Sequence, residues 1–346
     1  MTGSRADGTT KRPTLEQVAA LAGVGRGTAS RVINGSPSVA PQTRDAVMKA
    51  VADLGYVPNQ AARSLVTRRT GAIALVISEP EERLFSEPFF AGVVRGISSV
   101  MDERDRQLVL VLVHGAAERR DEPAAYLSPQ HVDGALLLSQ HEGDDLPQRL
   151  RERGLRLVFG GRPPSDDGQS WVDVDNVGGA RAAVAHLLAR RRTTVATIAG
   201  PPDMQAGRDR LLGYREALDA AGVPFDTDLV ATGDFTELGG WRAMRQLLEH
   251  RPDLDAVFVA SDPMALGALR ALREAGRSIP DSVAVVGFDD SPMAAVSDPP
   301  LTTVNQPVEL LGREAAEMLL ARLADPEGAS PRSVVLPTSL VVRGSS

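Results

Sequence analysis

Up to Gly55 the apolar positions recur at helical spacing, whereas from Gly71 onward they gather into short continuous runs separated by amphipathic stretches. Leu15, Val18, Ala19 and Ala22 lie on one helical face, and Thr14 with Gln17 three positions on forms a capping box before them. Gly23 breaks that pattern. A second helix is predicted after Gly25, with Ala29, Val32 and Ile33 as its apolar side and Asn34-Gly35 as the turn that ends it. A third follows Pro41, with Ala46, Val47, Ala50, Val51 and Leu54 on one face and Gly55 at its end. Beyond Gly71 the runs AIALVI (72–77), LVLVLV (108–113), GALLL (134–138), RLVF (156–159), TVATIA (194–199), AVFVA (256–260) and VAVVGF (283–288) read as strands. FFAGVVRGISSVMDERD and RDRLLGYREALDAAG are typical of the helical stretches between them. Alternating strands and helices predict an α/β body of parallel sheets, long enough for two doubly wound lobes. A small all-α unit therefore precedes an α/β core, and 59–70, poor in core-forming residues, connects them.

Charge divides the chain at the same place. Residues 1–70 hold ten Arg and Lys against four Asp and Glu, a net of +6; the rest holds 28 against 41, a net of −13. A basic head on an acidic body implies different partners for the two parts. Two helices joined by a tight glycine turn are the helix-turn-helix arrangement, whose second helix enters the DNA major groove. On that reading Gly23 serves the turn, Gly25 is the N-cap, and Arg26, Gly27 and Thr28 form the exposed first turn. GVGRGT superficially resembles a dinucleotide-binding turn, but it follows a helix and opens no βαβ unit.

The remaining chemistry is sparse. No GxSxG, P-loop or HExxH occurs, and the histidines at 114, 131, 141, 186 and 250 have no metal-ligand spacing. Cysteine is absent, which excludes disulfides and thiolate metal sites. No metal or organic cofactor is called for, and no enzyme activity is expected. A Rossmann oxidoreductase would need a glycine turn after its first strand, where AIALVISEP has none. The polar MTGSRADGTTKRP lacks the apolar segment of a secretory signal, and no run is long and apolar enough to span a membrane, so a cytoplasmic address is expected. Asp289-Asp290 follows the strand VAVVGF at its carboxyl end, where open α/β sheets bind ligands.

The chain resembles the lactose-repressor (LacI/GalR) family of bacterial transcription factors. TLEQVAALAGVGRGTASRVING and VAPQTRDAVMKAVADLGYVPNQAARSL carry the likeness at the start. VDVDNVGGARAAVAHL, RLLGYREAL, FVASDPMALGALRAL, SVAVVGFDDSPMAAVSDPPLTTVNQP and LGREAAEMLL continue it in order through the core. The resemblance implies a tail (1–11), a helix-turn-helix headpiece (12–58), a hinge helix and linker (59–70) and a periplasmic-binding-protein-like core (71–346). The first lobe is expected over about 71–190 plus 305–328, and the second over about 191–304 plus 329–346. It further implies a homodimer on a palindromic double-stranded operator, with a small effector held between the lobes that changes the grip on DNA. A sugar is the expected effector, a purine or nucleoside the alternative, and a sugar receptor without a DNA role a more distant one. No leucine heptads follow the last strand, so a dimer rather than a tetramer is expected.

Carried over by position, Arg26 and Gly27 match the pair that dominates base choice, and Arg31 a further base-reading position. Thr28, Ser30 and Asn34 match backbone-contacting or helix-supporting positions, and Thr14 and Tyr56 complete the headpiece's DNA-binding set. Gly25 stands where serine is usual, and Gly27 offers no side chain. Discrimination then falls on Arg26 and Arg31, each able to fork onto a guanine, which predicts a G-rich half-site. In the hinge, Asn59 matches a cap, with Ala62 and Leu65 at i, i+3 and Leu65 as the wedge that opens a central base step. In the core, Asp289 matches the acid that binds effector hydroxyls, Arg210 a cleft arginine, and Phe235 an aromatic that stacks on the effector ring. Ser78, Phe90, Asp175, Ser261 and Asp262 fall near the cleft, Asp262 having an alternative role as N-cap of PMALGALRAL.

Overall fold

The computed structural model describes residues 13–36, 38–57, 69–113, 126–165, 168–325 and 330–346. Asn59, Ala62 and Leu65 lie outside them. The chain divides into two compact units, with the break between Thr70 and Gly71.

Among its described residues the first unit has three helices, α1 (Leu15–Leu21), α2 (Arg26–Ile33) and α3 (Pro41–Leu54). Thr14 and Gln17 form the predicted capping box in both directions, with Thr14 N–H donating to Gln17 Oε1 at 2.9 Å. Gly23 sits at φ +66, which lets the chain reverse between α1 and α2 without the steric cost a side chain would bring. Val18, Ala19, Ala29, Val32, Val47 and Ala50 meet in one buried cluster. Ala46 is exposed, since the buried stripe of α3 runs through Val47 and Ala50.

The second unit holds two six-stranded sheets. The first has the order β11-β5-β4-β3-β1-β2, formed by β1 (Ala72–Ile77), β2 (Gln107–Leu112), β3 (Gly134–Leu138), β4 (Arg156–Gly160), β5 (Trp171–Val174) and β11 (Ser333–Leu336). All its pairings are parallel, with Ile73 opposite both Leu108 and Gly134. The second has the order β12-β10-β9-β8-β6-β7, formed by β6 (Val195–Ala199), β7 (Val230–Thr232), β8 (Ala256–Val259), β9 (Ala284–Asp289), β10 (Thr302–Asn305) and β12 (Ser339–Val341). Only β12 there runs antiparallel, Thr303 lying opposite Val341. Helices cover both faces, so β1, β3 and β8 are buried along their whole length and read as unbroken apolar runs.

The core was expected to change lobes near residue 190; it does so earlier. Helix α7 (Asn176–Ala189) contributes Ala180, Ala183, Val184 and Leu187 to the cluster beneath the second sheet, with Tyr214 and Phe288. The chain returns at α12 (Val308–Ala324), which packs on the first sheet with α5 (Pro88–Glu103). A Cβ on Gly96 would collide with the Glu309 carbonyl, so a bare backbone there permits the close helix crossing. β11 joins the first sheet beside β5, with Ser333 opposite Trp171, and only β12 belongs to the second. The expected assignment of all of 329–346 to the second lobe is thus corrected. Among the described residues the chain crosses between the lobes after β5, after β10 and after β11. Among the described residues no helix is long and apolar enough to cross a membrane.

Candidate functional site

On α2, Ala29 and Val32 face the headpiece core, which leaves Arg26, Gly27 and Arg31 exposed. Arg31 folds back along the helix, its Nε donating to Gly27 O at 3.4 Å and its Nη2 to Thr28 Oγ1 at 3.3 Å. Asn34 Nδ2 donates to Ser30 Oγ at 3.3 Å. Arg26 pairs with Glu16 on α1 at 3.0 Å. That pair is solvent-exposed and exchangeable for a phosphate or base. Gly25 caps α2 without a side-chain hydrogen bond, so the first N–H groups of the helix remain free to receive an anion. Thr14 is engaged as the cap of α1, and Tyr56 packs half-buried against the headpiece core.

The second site is a cleft between the two sheets, about 780 Å³ including the part open to solvent. Its walls come from carboxyl ends of strands: Ser139 and Gln140 after β3, Gly161 and Arg162 after β4, Ser261 after β8, Asp289 at the end of β9. Parallel α/β sheets direct their loops there, which is why ligands collect at that edge. Phe90 on α5, Arg210 on α8 (Gln205–Ala220) and Phe235 after β7 complete it.

Arg210 is the central cation. Its Nε donates to Asn176 Oδ1 at 2.9 Å, and its Nη1 to Ala260 O at 2.5 Å and Asp289 Oδ1 at 3.5 Å. Its guanidinium lies 3.8 Å from the Phe288 ring centroid. Burial weakens the proton affinity of this guanidinium, while Asp289 strengthens it. Asp289 also accepts from Gln306 Nε2 at 2.6 Å and from Asp262 N–H at 3.3 Å. Burial raises the Asp289 carboxyl above its ordinary value, with Arg210 opposing. Both Phe235 (φ +65) and Asp289 (φ +124) occupy a backbone region that side chains rarely adopt. Such positions cluster at ligand clamps.

Ser261, not Asp262, is the N-cap of α10 (Asp262–Glu274). Asp262 is fully buried behind the cleft, accepting from Ser291 N–H at 2.7 Å and Thr303 Oγ1 at 2.6 Å. It therefore holds the loop that carries Asp289 and does not line the cavity. Burial and the neighbouring Asp289 charge raise its carboxyl. Asp175 is likewise outside the lining: it is exposed and caps α7, accepting from Gly178 N–H at 2.8 Å. Its expected place is taken by Asp173 and Asn176. Ser78 stands behind the wall, donating to Asp144 Oδ2 at 3.2 Å and accepting from Gln140 Nε2 at 3.4 Å.

Arg83, Glu87, Gln140, Arg162, Asp173, Asn176 and Gln306 are lining residues that the sequence reading missed. Arg83, on α4 (Glu81–Ser86), is clamped between Glu79 and Glu87, the latter at 2.6 Å, and lies 5.1 Å from the Phe235 centroid. Burial pushes the Glu87 carboxyl up to about 7 against the pull of Arg83. The Glu79, Arg83, Glu87 spacing of four was the available sequence signal. Among the described lining residues, three arginines (83, 162, 210) face three carboxylates (87, 173, 289). Such a balance suits an uncharged ligand with many hydroxyls, and Phe235 offers it an apolar face.

The chain matches the model of bacterial regulatory proteins of the lacI family over residues 14–59 and that of the periplasmic binding protein-like domain over 184–346. It is 55% identical over 337 residues to the HTH-type transcriptional regulator CelR of Thermobifida fusca, covering 97% of this chain and 98% of CelR. The solved complex of transcriptional regulator CelR with cellobiose is 53% identical, with a TM-score of 0.78 over 97% of this chain and 100% of that one. The lac repressor dimer bound to operator and the anti-inducer ONPF is 29% identical, with a TM-score of 0.84 over 97% of this chain and 99% of that one.

Proposed function

The chain belongs to the LacI family of bacterial transcriptional regulators, and we propose that it is a cytoplasmic repressor that binds a palindromic operator as a homodimer. Its grip on DNA is set by an uncharged saccharide held in the cleft. The observation that carries this reading is the Arg210–Asp289 pair facing a charge-balanced cavity beside Phe235. An arginine donates and a carboxylate accepts, so together they grasp vicinal hydroxyls of a sugar. The arginine face of α2 supplies the DNA contact, with Arg26 and Arg31 reading guanines of each half-site. The complex of the related CelR makes cellobiose the first effector to try.

The test is titration calorimetry of the full-length protein with cellobiose, lactose, ribose and hypoxanthine, followed by operator retention with each binder. Saturable cellobiose binding that changes affinity for a selected palindromic duplex is expected. Binding of hypoxanthine with no response to any sugar would overturn the saccharide assignment. Equal affinity for palindromic and random duplex would overturn the regulator assignment for this chain's headpiece.

A further inference from the structure

At one rim of the cleft the lobes are joined by side chains as well as by the chain crossings. His141, after β3, pairs through Nδ1 with Asp203 Oδ2 of the second lobe at 2.7 Å, and through Nε2 with Glu79 Oε1 of its own lobe at 3.3 Å. His141 and Met204 form an isolated antiparallel bridge, and Glu142 N–H donates to Asp203 O at 2.8 Å. Arg208 Nη1 donates to Glu142 Oε2 at 3.0 Å. Further in, Arg162 Nη2 donates to both Asp209 oxygens at 2.8 Å.

Two carboxylates from opposite sides of the cleft thus converge on the two nitrogens of one imidazole. A neutral ring carries a single N–H, so one nitrogen would aim a lone pair at a carboxylate oxygen; the cation donates to both. We propose that protonated His141 is a positioning residue that holds the 202–209 segment of the second lobe against the first, so that closure of the cleft takes up a proton. The charged groups around it are Glu79, Arg83, Glu142 and Asp144 from the first lobe and Asp203 and Arg208 from the second. Acids predominate, and Glu79 is buried. The hydrogen bond that His141 donates to Glu79 leads in raising it to about 9, the one to Asp203 adds to it, and burial opposes.

Opening removes Asp203 and leaves Glu79 in place, so His141 holds its proton more tightly in the closed form than in the open one. The ring favours closure at neutral and lower pH, and that contribution is lost as pH rises through about 9. The ring is about a third exposed, so solvent screening cuts the effect to an expected loosening of about tenfold. The consequence for effector affinity rests on the saccharide reading; the clasp itself does not.

The experiment is a pH titration of the five histidine Cε1–H resonances in the full-length, ligand-free protein, with His141 assigned by loss of its signal in His141→Gln. A His141 midpoint near 9 that moves down by about one unit in Asp203→Asn is expected. A midpoint between about 6 and 7 in the wild type overturns the clasp. So does a midpoint unmoved in Asp203→Asn, since the histidine would then be held by Glu79 alone. In a second arm, cellobiose affinity falls about tenfold between about pH 7 and pH 10 in the wild type and stays level in Asp203→Asn. Parallel profiles in the two proteins overturn the proposal. Absence of cellobiose binding at every pH refutes the saccharide reading, while the resonance titration still decides the clasp.

Discussion

Replacing Arg210 by methionine removes the cleft's central cation while keeping most of the side chain's length. Asn176 Oδ1 and Ala260 O each lose a donor in a buried setting, about 1–3 kcal/mol apiece. Asp289 loses its charge partner, and breaking a buried pair costs about 3–5 kcal/mol. These do not simply add, because Asp289 keeps the Gln306 and Asp262 hydrogen bonds and can take up a proton. A loss of about 3–5 kcal/mol near neutral pH is expected, together with loss of cellobiose binding. The pH dependence has a definite sign. The folded-state Asp289 carboxyl is already raised above its ordinary value by burial, and without Arg210 it rises further. The folded variant then holds a proton that the unfolded chain releases, so its stability falls as pH climbs from about 4 toward that raised value. Urea unfolding of both proteins at about pH 5.5 and about pH 8 measures this, and the deficit is expected to be smaller at the lower pH. A deficit under about 1 kcal/mol, or one equal at both pH values, would refute the placement of an ionised pair at the centre of the cleft.

Phe235→Ala removes the apolar wall and is expected to weaken saccharide binding by about 10–100-fold by calorimetry, and, because Phe235 is also buried in the second lobe's core, to cost about 3–5 kcal/mol of stability. Arg31→Ala, at an exposed position, is expected to leave the headpiece folded by circular dichroism and to cost about 1–3 kcal/mol on a guanine-containing half-site. No loss of guanine preference in either Arg31→Ala or Arg26→Ala would show that other side chains read the operator. Gly96→Ala sets a methyl against the Glu309 backbone, so the unfolding midpoint should drop by the equivalent of about 1–3 kcal/mol without change in headpiece DNA contacts.

The headpiece's caps and turns were legible, because each of those signals is local: Thr14 with Gln17, Gly23, Gly25, Pro41 and Gly55. The long buried strands were legible for the same reason. β5, β7 and β10 were not, because they are short and partly polar. In β10, Thr302 and Thr303 are fully buried; the Thr302 hydroxyl accepts from Arg343 N–H and Ser346 Oγ, and the Thr303 hydroxyl donates to Asp262, partners remote in sequence. The lobe boundary was misplaced because nothing local in NVGGARAAVAHLLA says which sheet its small residues will meet. In the cleft, Arg210, Phe235 and Asp289 were reachable through the family resemblance, and the structure places all three in the lining. Asp175, expected near the cleft, is instead consumed by capping the helix that follows it. Asp173, buried at the end of a strand, accepts from Arg162 and Val174 N–H and from Asn176.

The pairing of Ser333–Leu336 with Trp171–Val174 has a consequence for biogenesis. As the polypeptide leaves the ribosome, β5, already paired with β4, must wait for more than 150 intervening residues before it gains its second neighbour. Until then Trp171–Val174 presents an open hydrogen-bonding edge, the kind of surface on which nascent chains associate wrongly. Closing both sheets is thereby tied to the late-synthesised 333–341 stretch, and a product cut short before Ser333 lacks the outer strand of each sheet.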